Sequence, residues 1–225
     1  MPWASETLSG RMVEEIVSAT YGGRVLPNYD YVDVLGKPGD RKAWQVKATK
    51  SSTPITWKRA KIPNKTELIN ASHSDHAGLQ KLGDAIITFC NENITASINK
   101  YELEEIIYAR TIFFGNGDVR YFERILATAK FEKIFEPSDY YWRWSKQKQN
   151  TKKEQLPALH GFRRSDDKKI WAWHGNGENQ LHFSAENEWW QDGRNFLDIK
   201  FKRPPQIDYE SFVEMTNNYL KGLSE

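Results

Sequence analysis

Three side chains on two strand-like runs carry the chemistry this sequence offers. Asp30 stands in PNYDYVDV, Gln45 and Lys47 stand in KAWQVKATK, and the turn-forming segment GKPGDRK joins the runs. A carboxylate on one strand and a Gln-x-Lys pair on its neighbour can hold a divalent metal and a phosphodiester together. Hydrolysis of that ester needs a polarised phosphate, an activated water and neutralisation of the charge that builds on the phosphorus oxygens, and a magnesium ion held by few protein ligands supplies much of this. Asp30 is the candidate anchoring carboxylate. Gln45 offers a neutral amide oxygen, Val46 a backbone carbonyl, and Lys47 an ammonium for the attacking water or a phosphate oxygen. An uncharged Gln leaves such a site short of acid, so either one metal is held or a further carboxylate helps. Glu14 and Glu15 of the opening segment are the candidates; each lies roughly 130° from the centre of the apolar helix face, and periodicity does not choose between them.

The Gln-x-Lys spacing is common, and acidic versions recur at Asp40-Arg41-Lys42, Asp166-Asp167-Lys168, Asp167-Lys168-Lys169 and Asp198-Ile199-Lys200. The first three fall in charged, turn-like segments where no sheet would fix their geometry. Asp198-Ile199-Lys200 lies in the strand-like FLDIKFK, but its nearest upstream acid, Asp192, leaves too little chain for a preceding strand. Gln45-Val46-Lys47 alone has an acid upstream at sheet-compatible distance.

The elements that must position these groups follow from periodicity. SETLSGRMVEEIVSAT reads as a helix with Met12, Val13 and Ile16 on one face and Val17 nearby, ended by Gly22-Gly23. Strands follow at Asp30–Leu35 and Ala43–Thr49. In the second, Trp44, Val46 and Ala48 make a dry face while Gln45, Lys47 and Thr49 face a cleft; in the first, Asp30 shares a face with Val32 and Val34. Residues 51–75 read as a long, polar, partly irregular excursion, and 76–92 as a helix whose apolar part could instead be a buried strand. A strand, the turn signal GNGD at Gly115–Asp118 and a further strand or helix come next. KKIWAWHG, NQLHFSAE and NFLDIKFK are short β-like pieces, the last stopped by Pro204-Pro205, and DYESFVEMTNNYLKGL is a closing amphipathic helix. This order predicts an α/β or α+β fold with a central mixed sheet flanked by helices and a β-rich C-terminal part.

With 225 residues, 39% of them hydrophobic, the chain suits one domain over 1–225, with a catalytic core at 1–140 and a recognition elaboration with the closing helix at 141–225. A net charge of +2 does not announce a nucleic-acid partner, but basic residues crowd into 41–65 and 143–169 while 100–140 is acidic, which permits one basic face. The single cysteine, Cys90, excludes an internal disulfide and reads as a buried small hydrophobe. No run approaches the apolar length of a membrane span and the N-terminus has no signal core, so a cytoplasmic protein with no membrane partner is expected. Nine Trp, several in polar company, suit either core positions at element edges or a stacking surface.

Gly10-x-x-x-Glu14 on a helix, Asp30 at the head of a strand, and Gln45-x-Lys47 on the next strand resemble the PD-(D/E)XK nucleases. Within that superfamily the chain is most similar to the small type II restriction endonucleases that cut four-base GC-rich sites and carry Gln or Asn in place of an acid; QDGRNFLDIKFK before Pro204 is similar to their final strand region. The resemblance covers about a third of the chain. It implies a restriction-endonuclease-like core, Asp30, Gln45 and Lys47 as the catalytic set with Mg2+, Glu14 in preference to Glu15, double-stranded DNA as substrate, a monomer or homodimer, and a cognate DNA methyltransferase in the same system. Pro27 stands three residues before Asp30 instead of next to it, which leaves Asp33 as the alternative anchor.

Sequence readout would need side chains that reach base edges. One candidate segment, Ser51 to Lys65, leaves the second strand, where Thr53, Ile55, Trp57, Lys58 and Arg59, with Lys50 and Ser52 at its start, combine groove-reading, wedge and phosphate-binding types. The second is HGFRRSDDKK, with Arg163 and Arg164. The third is WWQDGRN, where Gln191, Arg194 and Asn195 flank a Gly that permits close approach. A junction-resolving or repair nuclease on the same fold, and a DNA-binding protein without catalysis, are the competing readings.

Overall fold

The structure, a computed structural model, describes residues 7–27, 30–51, 53–130, 134–146, 156–184, 186–189, 193–202, 210 and 214. It is mixed α+β: a six-stranded mixed sheet, a five-stranded antiparallel sheet and three long helices. The predicted Pro204-Pro205 stop and nearly all of the closing helix lie outside the described residues, as do Ser52 and Gln191.

Helix α1 (Gly10–Tyr21) starts at Ser9, whose side chain accepts from the Met12 amide, and ends at Gly22, whose φ of 64° a side chain would strain. Its buried stripe is Val13 and Val17, packed on Val34, Trp44, Val46, Ile107 and Ala109. Ile16, expected on that stripe, is 50% exposed, because it faces the hollow beside the last strand and not the sheet. Strands β1 (Arg24–Val25) and β2 (Val34–Leu35) pair antiparallel, and β2 pairs with β3 (Lys42–Lys50), Val34 opposite Trp44. The expected strand at Asp30–Leu35 is thus regular only at its end.

The segment expected to be irregular contains β4 (Ile55–Arg59) and α2 (Lys65–Ser74). The apolar signal of β4 is only Ile55 and Trp57, enough for an edge strand that buries one face. Helix α3 (His76–Tyr101) absorbs the ambiguous apolar run: Leu82, Ile86, Cys90, Ile94 and Ile98 are buried at four-residue spacing, a helix period. Burial also pushes the Cys90 thiol pKa up, as expected of a packing residue.

From α3 the chain enters β5 (Glu105–Phe113), parallel to β3, and turns at Gly117 into β6 (Asp118–Thr128). Strands β7 (Tyr140–Trp144), β8 (Leu159–Arg163), β9 (Lys169–Trp173) and β10 (Gln180–Phe183) meander back to β4, giving the order β4-β10-β9-β8-β7. After the short α4 (Glu186–Trp189), β11 (Leu197–Lys202) closes the first sheet in the order β1-β2-β3-β5-β6-β11. Among the described residues no helix is long and apolar enough to cross a membrane.

The larger core draws on α3 and the facing sides of both sheets. Trp44, Trp57, Trp142, Trp171 and Trp173 are each at most 2% exposed, so these five are packing residues and not a stacking surface. Trp57 is the hub, with ring centroids of Phe183 at 4.9 Å, Phe135 at 5.6 Å and Tyr108 at 5.9 Å. Trp142 fills the gap between α3 and β8 because two glycines admit it: a Cβ at Gly83 would lie 2.1 Å from its ring, and one at Gly161 2.7 Å. Gly83→Ala therefore gains roughly 1 kcal/mol of helix propensity but overpacks a rigid indole held from both sides, at about 1–3 kcal/mol or more. The expected result in chemical denaturation is a lower midpoint than wild type; an unchanged or higher midpoint would contradict this packing.

Candidate metal and phosphate site

The site begins with a backbone group that loses its ladder partner. In the antiparallel pair β2·β3, the Asp33 amide donates to the Trp44 carbonyl at 2.8 Å, and beyond that point the preceding chain turns away. The next donor on the same edge of β3, the Val46 amide, is met by a side chain instead: Asp33 Oδ2 accepts it at 2.7 Å. Strand geometry sends the carbonyl of Val46 to the same edge as its amide. The carboxylate that closes the ladder also stands 3.6 Å from Lys47 Nζ. A backbone requirement thus brings an acid, a carbonyl and an ammonium to one point.

Of the two possible anchors, Asp33 is the one beside Lys47. Asp30 also borders the cleft, but its carboxylate is bound to Lys100 Nζ at 2.7 Å, and that hydrogen bond holds it below the usual carboxylate range. The structure brings Asp33, the alternative, and not Asp30 next to Lys47, for a reason of register. With Val34 opposite Trp44, Asp33 falls level with Gln45, while Asp30 lies three residues beyond.

The first helix contributes Glu14, 17% exposed, while Glu15 is 57% exposed and points to Arg11. Burial raises the Glu14 carboxyl pKa, the negative charge of Asp33 raises it further, and Arg11 and Lys47 oppose the rise. Glu14 is therefore the acid within electrostatic reach of the Asp33–Lys47 pair. Gln45 is buried, 1% exposed, with its side chain next to the Tyr31 hydroxyl, and its Oε1 accepts no hydrogen bond. A buried carbonyl oxygen with no donor, on a residue level with Asp33 in the register, is the kind of group a cation or an ordered water completes.

The opposite wall comes from the second sheet. Leu181 pairs with Lys58 while the next residue, His182, pairs with Thr56, so Trp57 is an extra residue in β4. Such a bulge re-aims side chains. Here Trp57 goes into the core and Lys58 turns into the cleft, its Nζ 5.6 Å from the Tyr31 ring centroid. Burial and the charge of Lys47 lower the Lys58 pKa, against the pull of Asp30 and Asp33. The cleft has a volume of about 640 Å³ and is bordered by Asp33, Lys47, Thr56, Lys58, Arg59 and Lys61, among others. Lys58 was expected as a phosphate contact outside the centre; its place opposite Lys47 was invisible without the bulge.

The remaining recognition candidates divide. Lys50 and Thr53 are exposed where β3 leaves the sheet, and Arg59 is exposed at the cleft rim, 4.0 Å from Glu178. Trp57 is 2% exposed and cannot wedge into a groove. Arg163 is held by Asp166 and Glu188, and Arg164 Nε donates to the Ser138 carbonyl at 3.0 Å, so both serve the fold in this structure. Arg194 is exposed, and Asn195 Nδ2 donates to the Trp189 carbonyl at 3.1 Å. The rival triplet is also accounted for, since Asp198 pairs with Arg120 across β6·β11.

A smaller hollow of about 240 Å³ lies between α1 and β11, across the first sheet. Its carboxylate, Glu123, is fully buried and accepts from the hydroxyls of Tyr21 at 2.9 Å and of Tyr121. It is a satisfied structural acid.

The donor set of Asp33, the Val46 carbonyl and Gln45 Oε1, with Glu14 near, suits a hard divalent cation that keeps most of its coordination as water. Among the described residues no three His, Cys, Asp or Glu side chains gather as a metal-ligand set, which limits the fit to such a sparsely ligated ion. Comparison with protein-family models, with curated proteins and with solved structures found no match.

The raised Glu14 pKa has a stability consequence. A carboxyl whose pKa is higher folded than unfolded contributes stability at low pH that is lost as pH rises through the folded value. Glu14→Gln should therefore unfold at higher denaturant than wild type at pH 7 to 8, the advantage fading below about pH 4, where the unfolded carboxyl is also protonated. Equal midpoints at pH 7 would mean that Glu14 is solvated.

Proposed function

We propose that the chain is a magnesium-dependent endonuclease that hydrolyses phosphodiester bonds of double-stranded DNA, of the sequence-specific kind found in type II restriction systems. The observation that carries the proposal is Asp33 Oδ2, which accepts the Val46 amide at 2.7 Å and stands 3.6 Å from Lys47 Nζ, with Glu14 in reach of both charges. One carboxylate and one ammonium at a strand edge, under a cleft walled by further lysines, suit an anionic ester better than a neutral substrate. The order of Glu14, Asp33, Gln45 and Lys47 along the chain supports the PD-(D/E)XK resemblance with Asp33 as the anchor.

The chain's own residues have distinct tasks in this reading. Asp33, the Val46 carbonyl and Gln45 would hold the magnesium, which when bound polarises the phosphate and makes its water a better nucleophile. Lys47 orients the attacking water and offsets charge on a phosphorus oxygen. Glu14, whose carboxyl pKa burial raises, is the further acid at hand to exchange a proton with water in the cleft. Lys58 binds the phosphate from the facing wall. Arg59 at the cleft rim, and Lys50 and Thr53 where β3 leaves the sheet, remain exposed to meet DNA. A cytoplasmic setting, a methyltransferase of matching specificity, and action as a monomer or homodimer complete the proposal.

Supercoiled plasmid incubated with and without magnesium tests it. Discrete fragments are expected with magnesium only. Cutting confined to four-way junctions would favour a repair nuclease, and intact DNA under every divalent ion a non-catalytic binder. Asp33→Asn and Lys47→Ala should each lower cleavage by at least about 10²-fold, the scale of losing a charge-stabilising group, with DNA binding retained, while Asp30→Asn keeps most of the activity. If Asp30→Asn abolishes cleavage and Asp33→Asn does not, the anchor is the other acid.

A further inference from the structure

The outer face of the second sheet carries a row of side chains fixed by register. Thr56 of β4 lies opposite His182 of β10, His182 opposite Ala172 of β9, Ala172 opposite His160 of β8, and His160 opposite Arg143 of β7. Directly opposed residues share a face, and here it is the face away from Trp142, Trp171 and Leu181, which fill the core. The row crosses all five strands, about 19 Å at roughly 4.8 Å per strand. That is the axial length of about five or six base pairs.

Two features mark its partner. The row starts in the cleft, since Thr56 borders the space that contains Asp33 and Lys47. At its far end Arg143 is presented flat, its guanidinium carbon 3.8 Å from the centroid of Phe162. Among the described residues Arg143 is stacked and not ion-paired, unlike Arg163 beside it, which two carboxylates hold. A hydroxyl, two imidazoles and a guanidinium in line with a phosphate-binding cleft complement a polyanion that continues out of that cleft.

We propose that this row is a backbone-contacting track for the DNA flank that leaves the cleft, so that the second sheet positions the duplex without reading its sequence. The inference rests on the nuclease reading for the cleft. It assigns Arg143, His160 and His182 to phosphate contact and makes Ala172 the neutral mid-point of the track.

Ala172 gives the test. Full-length wild type, Ala172→Lys and Ala172→Glu are titrated against a fluorescein-labelled mixed-sequence duplex in metal-free buffer over a range of salt, with folding checked by circular dichroism. The same pair of changes at Ala19, exposed on α1 across the first sheet, is the control. Lys at 172 should tighten binding and steepen the salt dependence by about one counterion. Glu should weaken it several-fold, and both changes at Ala19 should have less effect. Arg143→Ala should weaken binding and flatten the salt slope by a similar step. If the pair at 172 moves affinity no more than the pair at 19, and Arg143→Ala leaves it unchanged, the track is refuted while wild-type plasmid cleavage still stands. If wild type binds the duplex but cuts no DNA, catalysis falls and the Ala172 pair still judges the track. If wild type neither binds nor cuts, both proposals fall together.

Discussion

One hydrogen bond organises the candidate site: the Val46 amide donating to Asp33 Oδ2 at 2.7 Å. A strand that outlasts its neighbour leaves backbone donors with nothing to bond, and an unpaired buried donor costs about 1–3 kcal/mol. Here β3 outlasts β2, and the carboxylate that meets the orphan amide is thereby pinned at the edge of the sheet. Lys47 is one residue further along β3. The ion pair follows from geometry the fold already requires, so the acid and the ammonium need no separate device to bring them together.

The second wall depends on a different constraint. Two sheets must share one core, and the aromatic hub around Trp57 joins them, with contacts to Tyr108 of the first sheet and Phe183 of the second. Trp57 is also the extra residue of the β4 bulge. The same irregularity therefore sends the largest side chain of the strand into the core and turns Lys58 toward Lys47. Packing and electrostatics are coupled here, because a regular β4 would not serve both.

What could be read in the sequence tracks how local the cause is. The opening helix with its Gly22 stop, the GNGD hairpin, and the alternation that puts Trp44 and Val46 on one face of β3 and Gln45 and Lys47 on the other are local patterns, and they hold. That Asp33 lies level with Gln45 can be read by counting register back from the GKPGDRK turn, which puts Asp30 three residues further on. The bulge at Trp57, the burial of five Trp and the capture of Arg163 by Asp166 and Glu188 are tertiary, and composition left them open. Trp57 and Arg163 have the residue types of DNA contacts, but type says nothing about whether a side chain is already engaged.

Gln45 can now be understood from burial and charge. At 1% exposure its side chain is buried, level with Asp33 in the register and next to the Tyr31 ring. A carboxylate there would place a fully buried negative charge near that of Asp33, and an unpaired buried charge is stabilised only by close cations or by taking up a proton. Lys47 already faces Asp33, and burial makes Lys58 a poorer cation. The amide supplies the same acceptor oxygen without that cost. Its neutrality is then what the local charge balance requires, and the orphaned Oε1 keeps the oxygen available to whatever ion or water completes the site.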